Sequence, residues 1–124
     1  MAGAIPILRV GELLLVTVSI ELHDVVAQAL QTDVLAALER YDARGLLIDI
    51  SGLDFVDTYV ARVLAETGRM AKLMGARTVL VGMRPEVAAT LVRMGYSMTG
   101  IQTALNVEEG LERLDHRLVR VARS

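Results

Sequence analysis

The sequence predicts a single α/β domain in which an N-terminal β-hairpin is followed by β-α units, giving a mostly parallel sheet with four helices. Three observations carry this reading. Short apolar runs alternate with amphipathic stretches of helical period along the whole chain. Two of the apolar runs, Leu46-Leu47-Ile48 and Val79-Leu80-Val81, offer no polar face, as strands covered on both sides require. After the first two strands, an amphipathic segment separates each strand from the next, and such connections pair strands in parallel through right-handed crossovers.

Taken in order, Ile5 to Val10 and Leu13 to Ile20 read as strands joined at Gly11-Glu12, where Gly in the first central position suits a type II′ turn. Asp24 to Asp42 reads as a helix. Val26, Leu30, Val34, Ala37, Leu38 and Tyr41 share its inner face, with Gln28, Gln31 and Glu39 elsewhere. Gly45 opens a buried strand over Leu46 to Ile50, and a loop follows from Ser51 to Asp57. A second helix runs from near Thr58 to about Met74. Its inner stripe is Val60, Val63, Leu64, Thr67, Met70, Ala71 and Met74, and Gly75 stands where a left-handed C-terminal residue is expected. Thr78 to Met83 reads as a buried strand. Pro85 suits the first turn of a short helix with Val87, Leu91 and Met94 inward, closed by Gly95. Ser97 to Ala104 holds a short strand or loop. Asn106 and Glu109 form a capping-box-like pair for a last helix whose buried stripe is Leu111, Leu114, Leu118 and Val121. The sequence leaves the layering open, with helices on both faces of the sheet or mainly on one.

Composition narrows the function. At 124 residues the chain fits one domain with one core, and with 53% hydrophobic but only 3% aromatic residues that core is aliphatic. A net charge of −2 gives no field to gather nucleic acid or anionic lipid, so neither is expected as a partner. The absence of Cys excludes a disulfide framework, thiolate zinc sites and thiol catalysis, and it fits a reducing cytoplasm. The near-apolar stretch Leu13 to Ile20 falls well short of the roughly 20 residues that span a bilayer. Met1-Ala2-Gly3-Ala4 lacks the basic region of a signal peptide, so the expected location is cytoplasmic.

Catalytic patterns are missing. There is neither a GxxxxGK[ST] loop nor a GxGxxG fingerprint, and no cofactor is expected. His23, in Glu21-Leu22-His23-Asp24, reads as part of a solvated helix entrance more readily than as a metal ligand. His116 sits between Asp115 and Arg117 on a charged helix face. The chain is therefore expected not to be an enzyme.

One acidic cluster stands out. Asp49 ends a buried strand and Asp54 and Asp57 follow in the loop, at the end of a parallel sheet where α/β proteins carry function. Two readings stand. The three carboxylates can hold a divalent ion, making a small ligand- or metal-binding regulator. Alternatively, Asp57 caps the next helix and Asp54 shapes the turn. In the same loop the apolar side chains of Leu53, Phe55 and Val56 read as displayed beside a helix N-terminus, which suits a docking surface, with Phe55, the only Phe, equally able to fold inward as a plug. Thr58 falls at the helix start. A phosphate there meets backbone N–H groups and the positive end of the helix dipole, beside Asp54 and Asp57; a plain capping role is the competing reading.

The run Leu47-Ile48-Asp49-Ile50-Ser51-Gly52-Leu53-Asp54-Phe55-Val56-Asp57-Thr58 resembles the phosphorylation segment of STAS domains, the anti-sigma factor antagonists. Lys72 to Arg77, Val81-Gly82-Met83-Arg84-Pro85-Glu86-Val87-Ala88, Ile101-Gln102-Thr103-Ala104-Leu105 and Glu108-Glu109-Gly110-Leu111 are similar to the stressosome branch, and particularly to its short single-domain members. The resemblance covers Ile5 to about Leu118 and implies a single STAS domain over residues 1–124. The longer paralogues carry an extra sensory domain, for which this length leaves no room. The resemblance further implies a scaffold that co-assembles with those paralogues, self-associates, and sequesters a switch serine/threonine kinase until phosphorylated. Thr58 is then the acceptor, Thr90 a weaker second candidate, and Asp54, Phe55, Asp57 and Tyr59 the docking surface. The short members generally have Ser where this chain has Thr58, and Thr occupies that place in the longer paralogues. Whether this Thr is natural or a replacement is left open.

Overall fold

The computed structural model describes residues 5–18, 24–93 and 101–114, with backbone alone at Asp24 and Val25. Its elements are β1 (Ile7–Val10), β2 (Leu13–Thr17), α1 (Asp24–Tyr41), β3 (Gly45–Asp49), α2 (Thr58–Leu73), β4 (Arg77–Val81), α3 (Pro85–Arg93) and β5 (Ile101–Ala104), followed by a helical run, α4, over 107–114. The end of the second expected strand, Glu21 to His23, Met94 and Gly95, the start of the Ser97 to Ala104 segment, His116, Leu118 and Val121 lie outside the described residues.

The sheet has five strands in the order β1-β2-β3-β4-β5. The hairpin pairs β1 with β2 antiparallel, and every later neighbour is parallel. Gly11 takes φ 60 in the turn while Glu12 keeps a negative φ, the pattern of the expected type II′ connection. Because each right-handed crossover adds its strand on the same side, the crossover helices must all fall on one face. The packing follows this rule. Leu14, Val16, Leu46, Ile48 and Leu80 meet α1, α2 and α3 in the larger apolar cluster. Leu13, Leu47, Val79 and Val81 point the other way, toward Leu114 of α4. The layering is thus three helices on one face and α4 on the other. Strand β3 sits at the centre, with Leu46, Leu47 and Ile48 all fully buried.

Four positions differ from the sequence expectation. Gln31, placed off the inner face of α1, is only 7% exposed. Its Nε2 donates to Thr67 Oγ1 at 3.1 Å, and Thr67 Oγ1 donates to Val63 O at 2.7 Å, so a polar seam joins α1 to α2. A periodicity count misses such a residue because a carboxamide enters a core only when a partner across the seam satisfies it. Met70 and Met74, expected inside, are 42% and 44% exposed, while Ala71 between them is fully buried. Tyr41 is also exposed, with the guanidinium groups of Arg9 and Arg40 5.0 and 5.5 Å from its ring centre.

α4 approaches the sheet closely because Gly110 faces it. A Cβ there would lie 2.7 Å from both Leu47 Cδ1 and Val81 Cγ1, two buried side chains. Ala would gain about 1 kcal/mol of helix propensity but overpack this contact, which costs about 1–3 kcal/mol. Gly110→Ala is therefore expected to melt below the wild type in a thermal unfolding experiment, despite the better helix former.

Candidate functional site

The site is the loop that carries the chain from the end of β3 into α2. Ile50 N still donates to Val81 O at 3.0 Å, continuing the ladder one residue past β3. The chain then turns, with Leu53 N donating to Ile50 O at 3.0 Å and Asp49 Oδ1 accepting from Ser51 N at 2.9 Å. Leu53 and Val56 drop into the core at 0% and 1% exposure. Both were read as apolar residues on display; burying them fixes the loop and leaves Phe55 between them as the displayed one, 64% exposed. The plug reading of Phe55 does not hold.

Asp57 has extended backbone, φ −88 and ψ 178, and its Oδ1 accepts from Val60 N at 2.8 Å. This is an N-cap, and it makes Thr58 the first helical residue, exposed on the rim. Thr58 is thus not the cap itself. At the first two helical positions the N–H groups of Thr58 and Tyr59 have no i−4 carbonyl to bond, so positive potential gathers where the Thr58 side chain begins. Tyr59 is half-buried. Its hydroxyl donates to Gln28 Oε1 on α1 at 2.9 Å, and the Arg62 guanidinium lies 5.4 Å from its ring centre.

Asp54 points away from these groups toward Arg84, whose Nη1 lies 3.3 Å from Asp54 Oδ1 and whose Nε donates to Ser51 O at 2.9 Å. Arg84 comes from the segment between β4 and α3 and clasps the loop from outside. It belongs to the Gly-Met-Arg-Pro-Glu segment, yet sequence reasoning gave it no role. A cation placed just after β4, beside an acidic loop after β3, was the available signal. Gly82 makes room for the same contact: it takes φ 73, and a Cβ there would sit 2.7 Å from Ser51 Cβ.

The three carboxylates are therefore engaged separately: Asp49 with Ser51 N, Asp54 with Arg84, and Asp57 with Val60 N. Among the described residues no three His, Asp or Glu side chains converge as a metal-binding group. Thr90 lies apart from the loop on α3, half-buried, with its hydroxyl donating to Glu86 O at 2.9 Å. Among the described residues no helix is long and apolar enough to cross a membrane.

Comparison with known proteins agrees with this architecture. The STAS domain family matches residues 4–110. A substituted form of RsbS from Moorella thermoacetica superposes with a TM-score of 0.82 at 38% identity, covering 97% of this chain and 98% of that one. A chain of a structure describing the molecular architecture of the stressosome, a signal integration and transduction hub, gives a TM-score of 0.77 at 36% identity over 91% of this chain and 98% of that one. The RsbT co-antagonist protein RsbRA of Bacillus subtilis is 31% identical over 75% of this chain. The chain spans 35% of RsbRA, 24% of RsbRD and 31% of RsbRB, so it is similar to one part of each. SpoIIAA, an anti-sigma factor antagonist, shares the fold with a TM-score of 0.75 at 17% identity, over 91% of this chain and 97% of that one. With a five-stranded, mostly parallel sheet, its helices, and a family match over most of its length, this chain belongs to the STAS domain family.

Proposed function

We propose that the chain is a non-enzymatic stressosome scaffold that holds a switch serine/threonine kinase through the β3–α2 loop and releases it when Thr58 is phosphorylated. The observation that carries this reading is the pairing of an exposed Thr58 and an exposed Phe55 on a loop whose other apolar residues, Leu53 and Val56, are buried. Such a loop presents a fixed surface, and its acceptor can be modified without disturbing the core. Similarity to RsbS, to the RsbR proteins and to a stressosome structure supports assembly with longer STAS-domain paralogues in the cytoplasm. Asp54, Phe55, Asp57 and Tyr59 form the proposed docking surface, with Arg84 holding Asp54 in place.

The chemistry asks little of this chain. Thr58 Oγ attacks the γ-phosphorus of ATP, the β–γ bridging P–O bond breaks, and ADP leaves. The hydroxyl proton passes to a base on the kinase. The product carries about −1.5 to −2 of charge at neutral pH, beside a helix N-terminus that favours it by about 0.3–1 kcal/mol and two carboxylates that disfavour it. Within the domain these effects offset one another. In a docked interface the same charge must be desolvated, which costs several kcal/mol if unpaired. Binding, not folding, is therefore what the modification changes.

With the cognate kinase and ATP, Thr58→Ala should lose almost all label while Thr90→Ala keeps it, because the Thr90 hydroxyl is tied to the α3 backbone; full labelling of Thr58→Ala would sink the assignment. Kinase affinity should be kept in Thr58→Ala, fall in part in Thr58→Asp, and fall at least about tenfold on phosphorylation, equivalent to about 1.4 kcal/mol. All forms should melt within a few degrees of one another, and unchanged affinity of the phosphorylated protein would end the account. Self-association is expected as well, since Leu8, Leu73, Val92 and Leu105 are each more than half exposed. Sedimentation at micromolar concentration should show more than monomer.

A further inference from the structure

Arg62 follows Thr58 by one helical turn on the same face of α2. Residues at this spacing on a helix have Cβ atoms about 5–6 Å apart. Helical side chains lean back toward the N-terminus, so Arg62 reaches over the turn that holds Thr58 and Tyr59. The observed contact agrees: the guanidinium lies 5.4 Å from the centre of the Tyr59 ring. That ring is anchored from below. The Tyr59 hydroxyl donates to Gln28 Oε1 at 2.9 Å, Gln28 Nε2 donates to Gln31 Oε1 at 3.4 Å, and Gln31 Nε2 donates to the buried Thr67 Oγ1 at 3.1 Å. This chain of hydrogen bonds ties the ring to α1 and to the polar seam, and the ring in turn holds the guanidinium beside the start of the helix.

Arg62 and Arg84 both flank the loop, and they are held very differently. Arg84 is engaged by Asp54 Oδ1 and by Ser51 O. Arg62 is exposed and, among the described residues, makes no ion pair. The loop carboxylates are occupied elsewhere, Asp57 with Val60 N and Asp54 with Arg84. What holds Arg62 is a solvated cation–π contact, one of the weaker interactions a guanidinium makes.

We propose that Arg62 is the internal counter-charge of phosphorylated Thr58, and that the phosphate draws its guanidinium off the Tyr59 ring. The inference rests on the reading of Thr58 as the phosphate acceptor. A phosphate brings close to two negative charges and three acceptor oxygens, and a guanidinium fork binds a pair of such oxygens at once. That pairing outweighs an exposed cation–π contact. The order along the chain favours it too, with the acid one turn before the base. Modification then changes the docking surface in two ways. It adds negative charge at the rim, and it takes a cation away from Tyr59 and leaves the ring bare. Neither change requires the backbone to move, since only the Arg62 side chain is rearranged.

The test uses the whole chain with phosphothreonine installed at position 58 during translation, so that no kinase is involved. Phosphorus NMR gives the second pKa of the phosphate, which a nearby cation lowers by favouring the dianion. That pKa should be higher in Arg62→Gln than in the wild type by at least about 0.3 unit, roughly a twofold change in proton affinity. Arg62→Lys, which keeps the charge without the fork, should fall between them. Arg69→Gln controls for net charge. Arg69 lies roughly 16 Å further along α2, beyond the screening length of about 10 Å at about 0.1 M salt, so its replacement should leave the phosphate pKa unchanged. Ring resonances of Tyr59 should shift on phosphorylation in the wild type and much less in Arg62→Gln. Equal phosphate pKa values in the wild type and Arg62→Gln, or an effect of Arg69→Gln as large as that of Arg62→Gln, would overturn the proposal. The two readings fail separately: a kinase that does not label Thr58 would end the partner-switch account, while a null result here would end only the role given to Arg62.

Discussion

Leu53 and Val56 tie the loop after β3 into the apolar core, and the positions of Phe55, Asp57 and Thr58 follow from those two anchors. Strand β3 is central and buried on both faces, so the chain leaves it deep between layers of side chains. To reach the start of α2 it must run over the sheet's end without abandoning backbone polar groups. The turn bond from Leu53 N to Ile50 O, the Asp49 bond to Ser51 N and the Asp57 cap on Val60 N meet that need. With the backbone fixed and two apolar side chains turned inward, the residues between and after them face out. Arg84 closes the arrangement from the neighbouring loop, where its bonds to Ser51 and Asp54 link the end of β4 to the end of β3.

This construction separates what holds the fold from what meets a partner. Fully burying a Leu or Val side chain contributes about 1.5–3 kcal/mol, whereas an exposed ion pair such as Arg84 with Asp54 contributes about 0–1 kcal/mol. The loop's stability therefore rests on Leu53 and Val56, and its charged rim is free to serve recognition. Charge added at Thr58 falls outside the two anchors. Under the proposed function, that placement lets a phosphate alter a docking surface while the hydrophobic contacts beneath it stay as they are.

Most of the fold was legible because aliphatic periodicity reports burial directly. β3 and β4 lie within a residue or two of their expected limits, α1 ends one residue early at Tyr41, and Asp42 then takes the left-handed φ of 51. Chain polarity and the crossover rule together contain the layering, since strands added in sequence on one side place α1 to α3 on one face. Sequence could not give the direction of individual loop side chains. Leu53, Phe55 and Val56 are chemically alike, and only the path of the backbone decides which of them points inward. Asp54 and Asp57 likewise look equivalent in a one-dimensional acidic cluster. Their different engagements arise because Asp57 precedes a helix and Asp54 meets a guanidinium contributed by a residue thirty positions later in the chain. Gln31 was missed for the same reason: its partner Thr67 lies on another helix.

The central claim is that the loop is a preformed surface whose backbone does not change when Thr58 is modified. Amide hydrogen exchange across Ile50 to Ala61, compared between the unmodified and the Thr58-phosphorylated protein, measures this most directly. The account predicts that protection of Leu53 N, Val60 N and Ala61 N, which are bonded to Ile50 O, Asp57 Oδ1 and Asp57 O, is retained on phosphorylation. Loss of protection at these amides, with the loop opening and the first turn of α2 fraying, would contradict it and point instead to a switch that works by unfolding.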